Sequence, residues 1–160
     1  MSTSLSRAHT PPARAHGAPG ADPMQQDELG RFLNLLLEAE RAGARLLAAY
    51  LDELPPGTAE WVGLHTVQRD EARNCAVLIH YLLEAEVTPS MATGKSYRKG
   101  LEIRSWSERL EFLNRGQGWV ASRIAEALPR IPASAGKSAL QEMRYAHLAN
   151  IALCEQLLAN

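Results

Sequence analysis

VTPSMATGKSYRKGLEIR, residues Val87–Arg104, is the stretch whose reading decides the fold. Apolar residues recur at helical spacing up to it and again after it. Within it, Pro89, Gly94 and Gly100 break that spacing, with room for one short helical turn around Tyr97–Ile103. A connection of about 18 residues, at up to about 3.3 Å each, can run the length of a helical bundle roughly 35 Å long. The other two connections are short. Pro55-Pro56-Gly57 turns the chain once, and the segment containing Pro129 and Pro132 turns it again. Short turns join antiparallel neighbours, so the pattern short, long, short predicts an all-α four-helix bundle with one long crossover between its second and third helices.

The helices follow outward from that connection. The first is expected over Gln26–Glu53, with Leu29, Phe32, Leu33, Leu36, Gly43, Leu47, Tyr50 and Leu51 on its apolar face. The second runs to about Glu86 from an N-cap at Thr58, burying Trp61, Leu64, Val67, Cys75, Leu78 and Leu82. The third covers about Ser105–Leu128, and the fourth runs from about Ser134 or Ser138 to Leu158. Met1–Gln25, rich in Ala, Pro, Ser and Gly, reads as a disordered N-terminal arm or an over-long start, with Met24 as the other candidate first residue. The bundle is therefore expected over residues 26–160.

Near its middle each apolar face is interrupted by polar residues. On the first helix the interruption is Glu40, whereas Glu38 points away with Asn34 and Arg45 and reads as solvated. On the second it is Glu71 with Asn74, on the third Asn114 and Gln117, on the fourth His147 and Asn150. Burying a carboxylate or an imidazole is costly unless it is paired. Four interruptions at matching heights therefore predict one shared polar layer. Glu40, Glu71 and His147 are the candidate metal ligands, a set suited to iron, manganese or zinc. Asn74, Asn114, Gln117 and Asn150 are expected to support them or to act as weak ligands.

The remaining features exclude more than they suggest. The chain has 160 residues and a net charge of −1, without the clustered Lys and Arg of a nucleic-acid binder. No apolar run is long enough to span a membrane, and the start lacks the apolar core of a signal peptide, so a cytoplasmic location is expected. Gly94-Lys95-Ser96 and Gly136-Lys137-Ser138 imitate the end of a phosphate loop, but Pro89 and Ile131 stand where its first glycine is needed, so no nucleotide is expected. His9, His16, His65 and His80 read as solvated. Cys75 and Cys154 both face inward, on opposite sides of the polar layer, and no disulfide is expected. Phe112, Gly116 and Trp119 form a stripe on the outer face of the third helix, a candidate homodimer contact.

These residues resemble the ferritin-like superfamily and, more closely, an uncharacterised bacterial family of ferritin-like domain proteins, a domain of unknown function. The resemblance lies in LLEAERAGAR (Leu36–Arg45), VQRDEARNCA (Val67–Ala76), ERLEFLNRGQGWV (Glu108–Val120) and EMRYAHLANI (Glu142–Ile151), with TPSMATGKSYRKGLEI (Thr88–Ile103) between them. It covers about residues 26–158. It implies a ferritin-like bundle, a fold that typically houses two irons between a Glu, a Glu-x-x-His, a second Glu and a second Glu-x-x-His. Glu40 matches the first position and Glu71 the second. Asn74 stands where a His is expected, Gln117 replaces the third-helix Glu, and His147 and Asn150 stand for the last pair. This departure points away from a di-iron centre.

Two readings stay open at this level. In one, Glu40, Glu71 and His147 hold a single iron or manganese ion that supports oxidoreductase-type chemistry. In the other there is no cofactor: the layer is a metal-free hydrogen-bonded core, and a non-enzymatic bundle dimerises or binds a protein partner through Phe112 and Trp119. The sequence does not decide whether the chain is an enzyme.

Overall fold

A computed structural model describes residues 20–159; the expected arm lies outside them apart from residues 20–25. The regular elements among the described residues are all helical. They are α1 (Gln26–Leu51), α2 (Ala59–Glu84), α3 (Ser96–Leu101), α4 (Trp106–Ala127) and α5 (Ala135–Ala159), with a 3-10 turn at Leu128–Arg130. The four long helices match the four expected ones, and α3 is the short helical turn inside the long connection. α1 packs mainly on α2 and α4 mainly on α5, with α2 against α5 and α1 against α4 closing the assembly.

Local chemistry sets the helix ends. The Thr58 hydroxyl accepts from the Trp61 N–H at 3.2 Å, capping α2. The Ser134 hydroxyl accepts from the Lys137 N–H at 3.1 Å at the start of α5. At the end of α2, the Val87 N–H donates to the Leu82 carbonyl at 2.9 Å and the Glu86 N–H to Leu83 at 3.1 Å. That pair of bonds is a Schellman motif, and it forces Glu86 into the left-handed region, at φ 57°.

The apolar core falls into two clusters. One holds Phe32, Leu33, Leu36 and Leu37 of α1 with Leu78 and Leu82 of α2, Val120 and Ile124 of α4, and Leu140 and Met143 of α5. The other holds Leu46, Leu47 and Tyr50 with Leu64, Val67, Leu110, Leu113 and Cys154. Early α1 thus meets late α2, and late α4 meets early α5, as antiparallel pairs require. Each fully buried leucine contributes about 2 kcal/mol. The free thiols divide as expected: Cys75 packs on the first cluster and Cys154 sits in the second. Burial pushes their thiols up to about 12 and about 11, which leaves them weak nucleophiles.

The crossover lies along the outer side of α1, which the sequence reading left to solvent. Asn34 donates to the Thr88 carbonyl at 3.1 Å and accepts from the Ser90 N–H at 2.7 Å. Glu38 accepts from the Ser90 hydroxyl at 2.5 Å, Arg41 donates to the Ala92 carbonyl, and Arg45 donates to the Thr93 hydroxyl at 3.1 Å. Glu38 is therefore half-buried and bonded, not solvated. A long connection that follows a helix needs polar partners for its backbone, and this stripe supplies them. Tyr50 fixes the far end, its hydroxyl donating to the Gly100 carbonyl at 2.7 Å. Above its ring, 4.5 Å away, lies the Arg109 guanidinium, which pairs with Glu53 at 2.7 Å and ties α4 to the end of α1.

Two smaller departures have simple causes. Residues 20–25 include anchored backbone: the Met24 N–H donates to the Arg130 carbonyl at 2.8 Å, and Arg130 donates to the Asp22 carbonyl at 3.0 Å. His65 is half-buried because its ring stacks on Trp61, with centroids 4.6 Å apart; His80 is exposed, as expected.

A residue with a side chain in the left-handed region costs about 1 kcal/mol relative to glycine. Glu86→Gly is expected to raise stability by up to about 1 kcal/mol in denaturant unfolding. A loss of stability would contradict the assigned cap.

Candidate functional site

The polar layer lies between the two apolar clusters. Glu40, Glu71, Asn74, Gln117, His147 and Asn150 are each at most 5% exposed. Five of the six form one hydrogen-bonded chain. The Asn74 amide donates to Glu40 Oε2 at 3.0 Å. Glu40 Oε1 lies 2.7 Å from His147 Nε2. His147 Nδ1 bonds the Gln117 carbonyl oxygen, and the Gln117 amide donates to Glu71 Oε1. The proton positions follow from chemistry. A carbonyl oxygen only accepts, so Nδ1 carries a hydrogen. Nε2 and Glu40 then share one proton between them, as an imidazolium–carboxylate pair or as a neutral imidazole accepting from a carboxylic acid.

Glu71 terminates the chain. Its burial and the nearby Glu40 carboxyl push its pKa well above the ordinary carboxylate range, against the opposing effect of the Gln117 bond. Its second oxygen, Oε2, makes no hydrogen bond among the described residues. It lies over Gly43, where an added Cβ would sit 2.0 Å from it. Asn150 and Asn114 are near the layer but outside the chain. Asn150 Nδ2 and Asn114 Oδ1 are buried without a partner among the described residues, a cost of about 1–3 kcal/mol each.

The layer is reachable from outside. A cavity of about 440 Å³ occupies the seam between α1 and α4, and Glu71, Gln117 and His147 form its inner end. Leu35, Ala39, Gly43 and Leu46 of α1 line one wall; Phe112, Leu113, Gly116, Trp119 and Val120 of α4 line the other. Glu38 and the crossover residues Gly94, Lys95 and Ser96 complete the lining. The seam is open because small residues meet there: a Cβ on Gly116 would touch nothing within 4 Å. Phe112 and Trp119 thus flank an opening into the core instead of facing away from it. Trp119 remains 43% exposed.

The donor set as arranged does not fit a metal ion. Both ring nitrogens of His147, both oxygens of Glu40 and one oxygen of Glu71 are already engaged in the chain. Among the described residues no group of three or more His, Cys, Asp or Glu side chains is placed to hold one. Gln117 and Asn74, which the sequence offered as weak ligands, instead link and orient the ionisable groups. The chemistry this arrangement does support is the holding of one proton between Glu40 and His147, with a carboxyl group presented to a cavity.

Sequence reasoning missed the roles of Gly43, Glu38, Lys95 and Ser96. Only Gly43 carried a usable signal: a glycine one turn beyond Glu40, inside a strong helix, costs about 1 kcal/mol against alanine. Its place against the Glu71 carboxyl explains it. Gly43→Ala is expected to destabilise the protein by about 1–3 kcal/mol despite the better helix former. In a Glu71→Ala background the same change is expected to be neutral or stabilising. A thermodynamic cycle from denaturant unfolding measures this, and additive effects would contradict the contact.

Comparison with known proteins adds membership without activity. No curated protein and no solved structure matches the chain significantly. The sequence profile of the domain of unknown function DUF6306 matches residues 27–156, from Asp27 in α1 to Gln156 in α5, and includes every residue of the polar layer. The chain belongs to the DUF6306 family.

Proposed function

We propose that this chain is a ferritin-like bundle in which a hydrogen-bonded polar layer stands where that superfamily houses metal, and that it acts as a non-enzymatic binding module. The ferritin-like reading is supported by the single full-length crossover between the second and third long helices. The metal-free reading is carried by one observation: the ring nitrogens of His147 and the oxygens of Glu40 are all spent on partners within the layer. A closed chain of this kind specifies helix register and keeps ionisable groups buried at tolerable cost. Binding would take place where the cavity opens between Phe112 and Trp119. A homodimer through this face is the weaker reading, because the opening leads inward and is not a flat apolar patch.

A second reading retains a single iron or manganese ion on Glu40, Glu71 and His147. It is favoured by the convergence of the three side chains in one buried layer and by the uncommitted oxygen of Glu71. Elemental analysis separates the two. Untagged protein, expressed with iron, manganese and zinc supplied, is expected to hold far less than one equivalent of any of them and to match Glu71→Ala. About one equivalent in the wild type, lost in Glu71→Ala, would overturn the metal-free reading.

A further inference from the structure

The cavity combines apolar walls with an unbalanced polar end. Leu35, Leu113 and Val120 line it beside the aromatic rings of Phe112 and Trp119. Its inner end belongs to a layer with two carboxyl groups, Glu40 and Glu71, and one imidazole, His147. Glu40 and His147 satisfy each other at 2.7 Å. Glu71 has no cationic partner among the described residues. It is 4% exposed, and its Oε2 makes no hydrogen bond there. The cation at the lining is Lys95, in the crossover and exposed.

We propose that the cavity binds a small apolar primary amine, its ammonium group on Glu71 Oε2 and its hydrocarbon body between Phe112 and Trp119. This rests on the metal-free reading of the layer and names the ligand class of the same site. Burial and Glu40 disfavour the ionised form of Glu71; an entering ammonium supplies the counter-charge for that form, the carboxyl proton passes to solvent, and desolvation in the seam strengthens the resulting pair. The aromatic rings favour a cation's approach and the apolar body behind it. The volume lies within the range of small-molecule sites. Neutral alcohols of the same shape would fill the walls but leave Glu71 without a counter-charge, so the site discriminates by charge more than by shape.

The test uses phenethylamine and its neutral counterpart phenethyl alcohol, titrated calorimetrically into the whole protein near neutral pH. The amine is expected to bind one-to-one and about tenfold or more tightly than the alcohol. Glu71→Gln, which keeps a hydrogen-bonding group of the same size, is expected to abolish that preference and leave residual binding of both. Gly116→Leu, which leaves the layer intact and fills open space at the seam, is expected to remove binding of both. Equal affinity for amine and alcohol, a preference that survives Glu71→Gln, or no amine binding at millimolar concentration would each overturn the proposal. Metal analysis of the same preparations tells the two failures apart. No amine binding in metal-free protein overturns this inference alone, whereas a stoichiometric metal overturns the reading beneath it.

Discussion

Two carboxyl groups and an imidazole buried within an apolar bundle are the constraint around which this structure is arranged. Left alone, each would cost several kcal/mol in its charged form. The chain from Asn74 through Glu40, His147 and Gln117 to Glu71 reduces that cost by giving each ionisable group at least one partner. Every long helix contributes a member, so each helix is held at the height and rotation that keeps the chain closed. A one-residue slip of any helix turns its member by about 100° and opens the chain. The two apolar clusters hold the buried leucines, and the layer between them links all four long helices.

Other features follow from that layer. α1 carries Gly43 because the Glu71 carboxyl needs the space that a methyl group would take. The seam between α1 and α4 stays open because Ala39, Gly43 and Gly116 are small there, and the opening ends on the layer. The crossover bounds the same seam. It is held to α1 by Asn34, Glu38, Arg41 and Arg45, and it brings Lys95 and Ser96 to the cavity's edge. Core, crossover and cavity are thus one construction, with Glu71, Gln117 and His147 common to the layer and the cavity.

Much of this was legible in the sequence, for physical reasons that particular residues illustrate. Strong helical periodicity and the punctuation at Pro55-Pro56-Gly57, Pro89 and Pro129 located the helices to within a few residues, and the Thr58 cap was correctly placed. Glu40, Glu71, Gln117 and His147 were legible as one layer because polar residues on an apolar stripe have nowhere else to go. Their pairing was not: periodicity gives direction and height, but the choice between hydrogen bond and metal ligand depends on rotamers. Glu38 misled because a polar residue opposite the core looks the same whether it meets water or a crossover. Trp119 misled for a related reason, since a helical wheel shows a face but not the gap beside it. The Schellman turn at Glu86 was invisible because its usual marker, glycine, is absent.

The state of His147 tests the central claim most directly, because it stands in the middle of the chain. Nitrogen NMR of the histidine side chains, assigned with His147→Gln, reads both ring positions. A closed chain predicts a hydrogen on Nδ1 protected from exchange, a strongly hydrogen-bonded Nε2, and no change when zinc is added in slight excess. Loss of the Nδ1 hydrogen, or a shift of either ring nitrogen that saturates at one equivalent of zinc, would mean that the layer is a metal site and that its hydrogen-bonded form is only the apo state.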